Sequence, residues 1–141
     1  AISLFIFLGI KMSFNFSTTT ESIASVGTNF NINKKTSITL SHDSSKYFLA
    51  TVKIITVYCS SISGASSVTL KMYNQNNGTG LFVSDETGSI TLDIDSTTAG
   101  SVQIEIDALL YSETELFYIF PKVDAGSLTI DKIVITYSTD R

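Results

Sequence analysis

Tryptophan is absent from this chain of 141 residues, and cysteine, histidine and proline occur once each. Each scarcity removes a kind of chemistry. With Cys59 alone, neither an intrachain disulfide nor a thiolate metal cage can form. Its setting, Ile54-Ile-Thr-Val-Tyr-Cys59, points to a buried thiol serving as a small hydrophobe. A catalytic nucleophile would need a histidine, and His42 lies in the turn-like stretch Ser41-His-Asp-Ser44. No nucleophile elbow, phosphate-binding loop, dinucleotide fingerprint or histidine-rich metal spacing occurs. The chain is not expected to be an enzyme.

Charge is scarce as well, at 16% of residues against the usual quarter. Nine basic and 13 acidic residues leave a net charge of −4. Nucleic-acid binding needs clustered Lys and Arg, and the adjacent pair Lys34-Lys35 sits in a turn-like Asn31-Ile-Asn-Lys-Lys-Thr36. Nucleic acid is therefore not an expected partner, and an anionic membrane surface is disfavoured for the same reason.

Serine and threonine take the place of the missing charges, with 21 and 18 residues. With β-branched residues throughout and no 3.6-residue apolar stripe, this composition predicts pleated sheet. Short apolar alternations recur at Ser37-Ile-Thr-Leu40, at Val68, Leu70 and Met72, at Ile90, Leu92 and Ile94, and at Val102, Ile104, Ile106 and Ala108. Residues 115–123 and 128–137 read as further strands, the latter with a bulge near Asp131-Lys132. Residues 46–59 have two apolar faces, as in a central strand covered on both sides. Phe48, Ala50, Val52 and Ile54 fall on one face, and Leu49, Ile55 and Val57 on the other. Turn signals separate these runs at 41–45, 60–66, 74–80 and 84–88. Pro121 cannot donate to a ladder and is expected at an edge or bulge. The fold class is all-β: a two-sheet antiparallel β-sandwich, jelly-roll-like.

The N-terminus carries the most regular pattern. Ile2, Leu4, Ile6, Leu8, Ile10, Met12, Phe14 and Phe16 are apolar at every even position, while the odd positions are mixed. Side chains two apart share one face of an extended strand. At roughly 3.3 Å per residue such a strand reaches about 50 Å, against a usual 17–20 Å or so. That face exceeds what one small sandwich covers, so it is predicted to pack on a neighbouring subunit. The apolar run 2–10 has the length of a secretory core but lacks the basic residues ahead of it. It is too short for a bilayer span of about 20 residues. The alternation also runs through Met12, which argues against a start there. The expected organisation is a strand or arm over 1–16 and a β-sandwich domain over 17–141.

Two polar groups are candidate sites. If Ile94 faces Ile104 in a hairpin, then Asp93, Asp95, Glu105 and Asp107 share the opposite face. Like charges opposite one another are unfavourable there, and Ca²⁺ or Lys71 would relieve them. A solvated outer face is the plainer alternative, and no other cofactor is expected. Tyr73 and Tyr111, with Asn76 and Asn77, are the best sugar-stacking candidates, so a glycan is a possible ligand. Glu113 and Glu115 lack any sign of the separation that glycoside hydrolysis requires. The sequons at Asn15 and Asn77 are as many as the Ser/Thr content yields by chance.

The second half, from Ser66-Ser-Val-Thr-Leu-Lys-Met-Tyr73 to Asp124-Ala-Gly-Ser-Leu-Thr-Ile-Asp-Lys-Ile-Val-Ile-Thr-Tyr137, resembles the Ser/Thr-rich sandwich proteins of phage virions. These are capsid-decoration, spike and fibre modules. The resemblance is one of texture and transfers no functional residue; it implies a non-enzymatic assembly role in a virion. An unpaired strand edge is a template for pairing, so the partners expected are copies of the chain or other structural subunits. The alternatives are a secreted surface filament built by donor-strand exchange and a carbohydrate-binding module.

Overall fold

The computed structural model describes residues 14–40, 48–73, 89–95, 99–112 and 116–138, with the backbone alone for 48–50 and 107–112. Nine strands follow in chain order: β1 (Asn15–Thr18), β2 (Ile23–Val26), β3 (Thr36–Thr39), β4 (Phe48–Ser63), β5 (Ser67–Tyr73), β6 (Ser89–Asp93), β7 (Gly100–Ser112), β8 (Leu116–Val123) and β9 (Ser127–Ser138). No helix occurs among the described residues, so none there is long and apolar enough to cross a membrane.

One sheet has the order β1-β9-β4-β7, with β2 also on β9, and the other runs β3-β8-β5-β6. β1 pairs with residues 134–137 of β9 and β2 with 128–130, so the two form one interrupted edge strand. Counted that way, eight antiparallel strands make two interleaved sheets, the jelly-roll arrangement. Only β5 and β6 are both consecutive and hydrogen-bonded to each other among the described strands.

The core fills the space between the sheets because the inward residues of each strand are aliphatic or aromatic. Val68, Leu70 and Met72 from β5 meet Ile55 and Val57 from β4 and Ile133, Ile135 and Tyr137 from β9 in one buried cluster. Each such side chain contributes about 1.5–3 kcal/mol on full burial. At one edge the kink between β1 and β2 stitches the sheets together. The Thr19 amide donates to the Ile133 carbonyl at 3.0 Å, and the Thr20 amide to the Ser37 carbonyl at 2.9 Å. The Thr36 hydroxyl donates to the Glu21 carbonyl at 2.9 Å.

Bulges settle several faces. The ladder of β4 slips between Val52 and Ile54 against both neighbours, so Lys53 is the extra residue against β9. Val52, Ile55, Val57 and Cys59 therefore all face the core, and Ile54 turns outward with Thr56 and Tyr58. Over residues 51–59, where the side chains are described, the two apolar faces expected are thus one face whose alternation changes phase. β4 is central, as expected, but its other face is not buried: Tyr58 is 37% exposed. β4 also continues to Ser63 through a left-handed Ser61 (φ 52°), where a loop was expected. The bulge expected near Asp131-Lys132 is present, with the register against β4 shifting there and both residues exposed. Pro121 lies where β8 has passed the end of β3, so the ladder it cannot join on that side is absent.

The turn from β8 to β9 is held by a carboxylate. Asp124 accepts the amides of Ser66 (2.9 Å) and Ser67 (3.1 Å) and the Ser66 hydroxyl. These bonds, the hydroxyl foremost, hold its carboxyl well below the ordinary range. Gly126 follows at φ +67°, where an added Cβ would fall 1.8 Å from the Ser63 carbonyl oxygen.

Candidate functional site

Paired residues in a ladder share a face, which makes the outer surface of the five-stranded sheet readable row by row. Phe16 of β1 stands opposite Thr136 of β9, Thr136 opposite Ile54 of β4, and Ile54 opposite Glu105 of β7. Ile135, Tyr137 and Ile55 in the same strands point inward and are buried. The row therefore faces away from the core. With Phe14, Lys53 and Ile106 it lines an open groove of about 720 Å³.

The groove is apolar where it matters most. Phe14 is 44% exposed and Phe16 is 70% exposed, while Ile54 and Ile106 are half-buried. Lys53 and Glu105 supply one charge of each sign to the lining. A phenylalanine left largely in water forgoes most of the 1.5–3 kcal/mol or so that burial would contribute. Most of the Phe16 side chain stays in water.

The outer surface of the four-stranded sheet is built differently. There Lys71, Tyr73, Tyr118, Phe120 and Lys122 face outward, opposite the buried Leu70, Met72, Ile119 and Val123. Phe30, from the loop between β2 and β3, packs onto them. The Lys71 ammonium lies 4.4 Å from its ring centroid and that of Lys122 5.3 Å. Phe120 meets Tyr73 edge-to-face with centroids 5.8 Å apart, and Lys35 lies over its ring. As a result Phe120 is 4% exposed although its position faces out.

The structure separates several residues that the sequence grouped. β6 and β7 belong to different sheets, so the hairpin pairing Ile94 with Ile104 does not form. Asp93 is exposed on the outer face of the four-stranded sheet, opposite Ser67, and Glu105 on that of the five-stranded sheet, opposite Ile54. Asp95 is exposed in the connection between them, and Asp107 lies on β7. The physical reason is the jelly-roll path, in which the chain after β6 crosses to the other sheet instead of turning back. Among the described residues no group of three or more His, Cys, Asp or Glu could hold a metal ion. Tyr73 and Tyr111 are likewise divided, on β5 and β7. Asn76, Asn77, His42, Glu113 and Glu115 lie outside the described residues, as do Ile2, Leu4, Ile6, Leu8, Ile10 and Met12.

Cys59 is buried in the core. Burial, and then the Asp131 carboxylate, push its thiol pKa up, which disfavours the nucleophilic thiolate. The outward turn of Ile54 was hidden by the bulge at Lys53. The pairing of Lys71 and Lys122 around Phe30 joins three segments distant in sequence and has no local signature.

No family model matches the chain, and no curated protein sequence matches it. Solved structures with a similar course of chain include a cyanophage Pam1 capsid asymmetric unit, at 14% identity over 94% of this chain and 89% of that one, with a TM-score of 0.40. A Bacillus endospore appendage, one of a family of disulfide-linked pili, aligns at 12% identity over 94% and 93%, with a TM-score of 0.36. The CBM35 from Cellvibrio japonicus Abf62 aligns at 12% identity over 91% and 99%, with a TM-score of 0.40. Similarity of this order transfers no function.

Proposed function

We propose that this chain is a non-enzymatic structural subunit that assembles with copies of itself, residues 1–13 of one copy lying along the groove of the next. The observation that carries this is the uncovered groove at Phe14 and Phe16. These two rings are the last members of the apolar series that begins at Ile2, and they lie on the outer face of the five-stranded sheet. A segment with apolar residues at Ile2, Leu4, Ile6, Leu8, Ile10 and Met12 has the complementary character for such a groove. Apolar burial is non-directional, and main-chain pairing along an edge would fix the register. The texture of residues 66–137 favours a virion as the setting.

Sedimentation velocity on the full chain tests this. The wild-type protein should sediment as an oligomer, and Phe14→Ser/Phe16→Ser should sediment as a folded monomer. Electron microscopy of the oligomer then separates closed shells, expected for a virion component, from linear filaments. A wild-type chain that stays monomeric at high concentration would sink the proposal.

A further inference from the structure

Among the described strands four edges bound the two sheets, and one of them is unlike the rest. β3 and β6 are four and five residues long, and the edge shared by β1 and β2 is interrupted by its kink. β7 is an edge of 13 residues that holds neither lysine nor proline, two residues that commonly block edges. Among the described strands it pairs with β4 alone, and from Gly100 to Glu105 that ladder runs without a break. In an antiparallel pair, alternate residues turn their amide and carbonyl away from the partner. β7 therefore carries a row of main-chain donors and acceptors on its far side.

The core opens along the same edge. Val102, Ile104 and Ile106 of β7 pack against the core yet are only half-buried. Val57 and Ile55, the ladder partners of the first two, are fully buried. At the edge of the other sheet Ile90 and Leu92 of β6 are buried too, so an edge position does not by itself leave a core residue open. Val102 also borders a small cavity of about 50 Å³ with Cys59, Ile62 and Ile94, where β6 ends and β7 begins. At the other end Ile106 joins this row to the groove of Phe14 and Phe16.

We infer that the N-terminal segment donated by a neighbouring copy leaves the groove at Ile106 and adds as a strand to the free edge of β7, closing over Ile106, Ile104 and Val102. This rests on the self-assembly proposed above and names the edge that it uses. An added strand lies about 4.8 Å from β7, with every second side chain over the mouth between the sheets. Ile2, Leu4, Ile6 and Leu8 supply apolar groups at that period, and residues 2–8 match Gly100–Ile106 in length. Gly9 then suits the turn from following β7 to crossing the strands, which leaves Ile10 and Met12 for the groove. The other candidate for this edge is a second β7. Pairing two of them repeats Glu105 and Asp107 on both strands, whereas residues 1–13 hold no carboxylate and one lysine, Lys11.

Hydrogen–deuterium exchange read residue by residue, on the wild-type oligomer and on the Phe14→Ser/Phe16→Ser monomer, tests it. In the monomer, alternate amides of residues 100–106 should exchange fast. In the oligomer that set should slow at least tenfold, while the amides of β6 keep their monomer rates. Leu4→Ser/Ile6→Ser should return the β7 set to the monomer rates, and Lys11→Gln should leave it protected. An oligomer whose alternate β7 amides stay fast would overturn the edge assignment and leave self-assembly standing. Equal slowing at β6 would overturn it as well, as would protection that survives Leu4→Ser/Ile6→Ser, the result expected for two β7 edges. A wild-type chain that stays monomeric would overturn both readings.

Discussion

Phe16 and Phe120 occupy equivalent kinds of position, each an aromatic residue facing outward from a strand, yet one is 70% exposed and the other 4%. The difference lies in what each sheet supplies for itself. Over the four-stranded sheet, Phe30 and Lys35 reach across from the loop before β3, and Tyr73 closes on Phe120 from β5. Over the five-stranded sheet, Phe16 stays largely in water. A sheet that furnishes its own cover has a finished surface. A sheet that leaves an apolar groove open has surface to bury, and under the proposed function the alternating N-terminal residues of another copy bury it.

Substitution at the two rings should separate the faces most sharply. Phe120→Ala should cost about 3 kcal/mol, the low end for a buried phenylalanine. Phe16→Ala should cost less than about 0.5 kcal/mol in the monomer, as for an exposed side chain. Urea unfolding of the two variants in dilute, monomeric samples measures this. Similar losses at both positions would erase the contrast.

Next in size is the junction of the sheets. Gly126→Ala forces a left-handed residue to carry a Cβ against the Ser63 carbonyl, and should destabilise the fold by about 2 kcal/mol or more. Because this turn links β8 of one sheet to β9 of the other, both sheets should unfold together on heating. Thermal unfolding followed by fluorescence at each face checks that.

The smallest effect is expected at Asp124. Its folded-state pKa is depressed, so its contribution is present above the unfolded value of roughly 3.9 and is lost as the pH falls below it. Acid titration of stability should therefore show a limb below about pH 4 that Asp124→Asn flattens. An identical acid limb in the variant would mean that the clip on Ser66 and Ser67 contributes nothing.

Much of the fold was legible in the sequence because its strands follow a period of two. The alternations at Val68, Leu70 and Met72 and at Leu128 to Tyr137 state their own faces, and the bulge at Asp131 showed as a break in phase. What stayed hidden was any feature depending on long-range pairing. A hairpin between Ile94 and Ile104 is the natural local inference, but a jelly roll sends the chain after β6 to the other sheet. The carboxylate cluster built on that hairpin consequently divides between two surfaces. The bulge at Lys53 made one apolar face look like two. For the candidate site, Phe14 and Phe16 were legible as members of a series, whereas Ile54 and Glu105 enter the groove only through the register of β4.

The most direct measurement places a photo-crosslinking phenylalanine analogue at position 54 and mixes isotopically heavy and light copies of the full chain. Mass spectrometry of the irradiated oligomer then shows whether residues 1–13 of a heavy copy attach to position 54 of a light one. Heavy–light adducts within 1–13 are the expected result. Adducts confined to a single copy, or falling elsewhere, would contradict assembly through this groove.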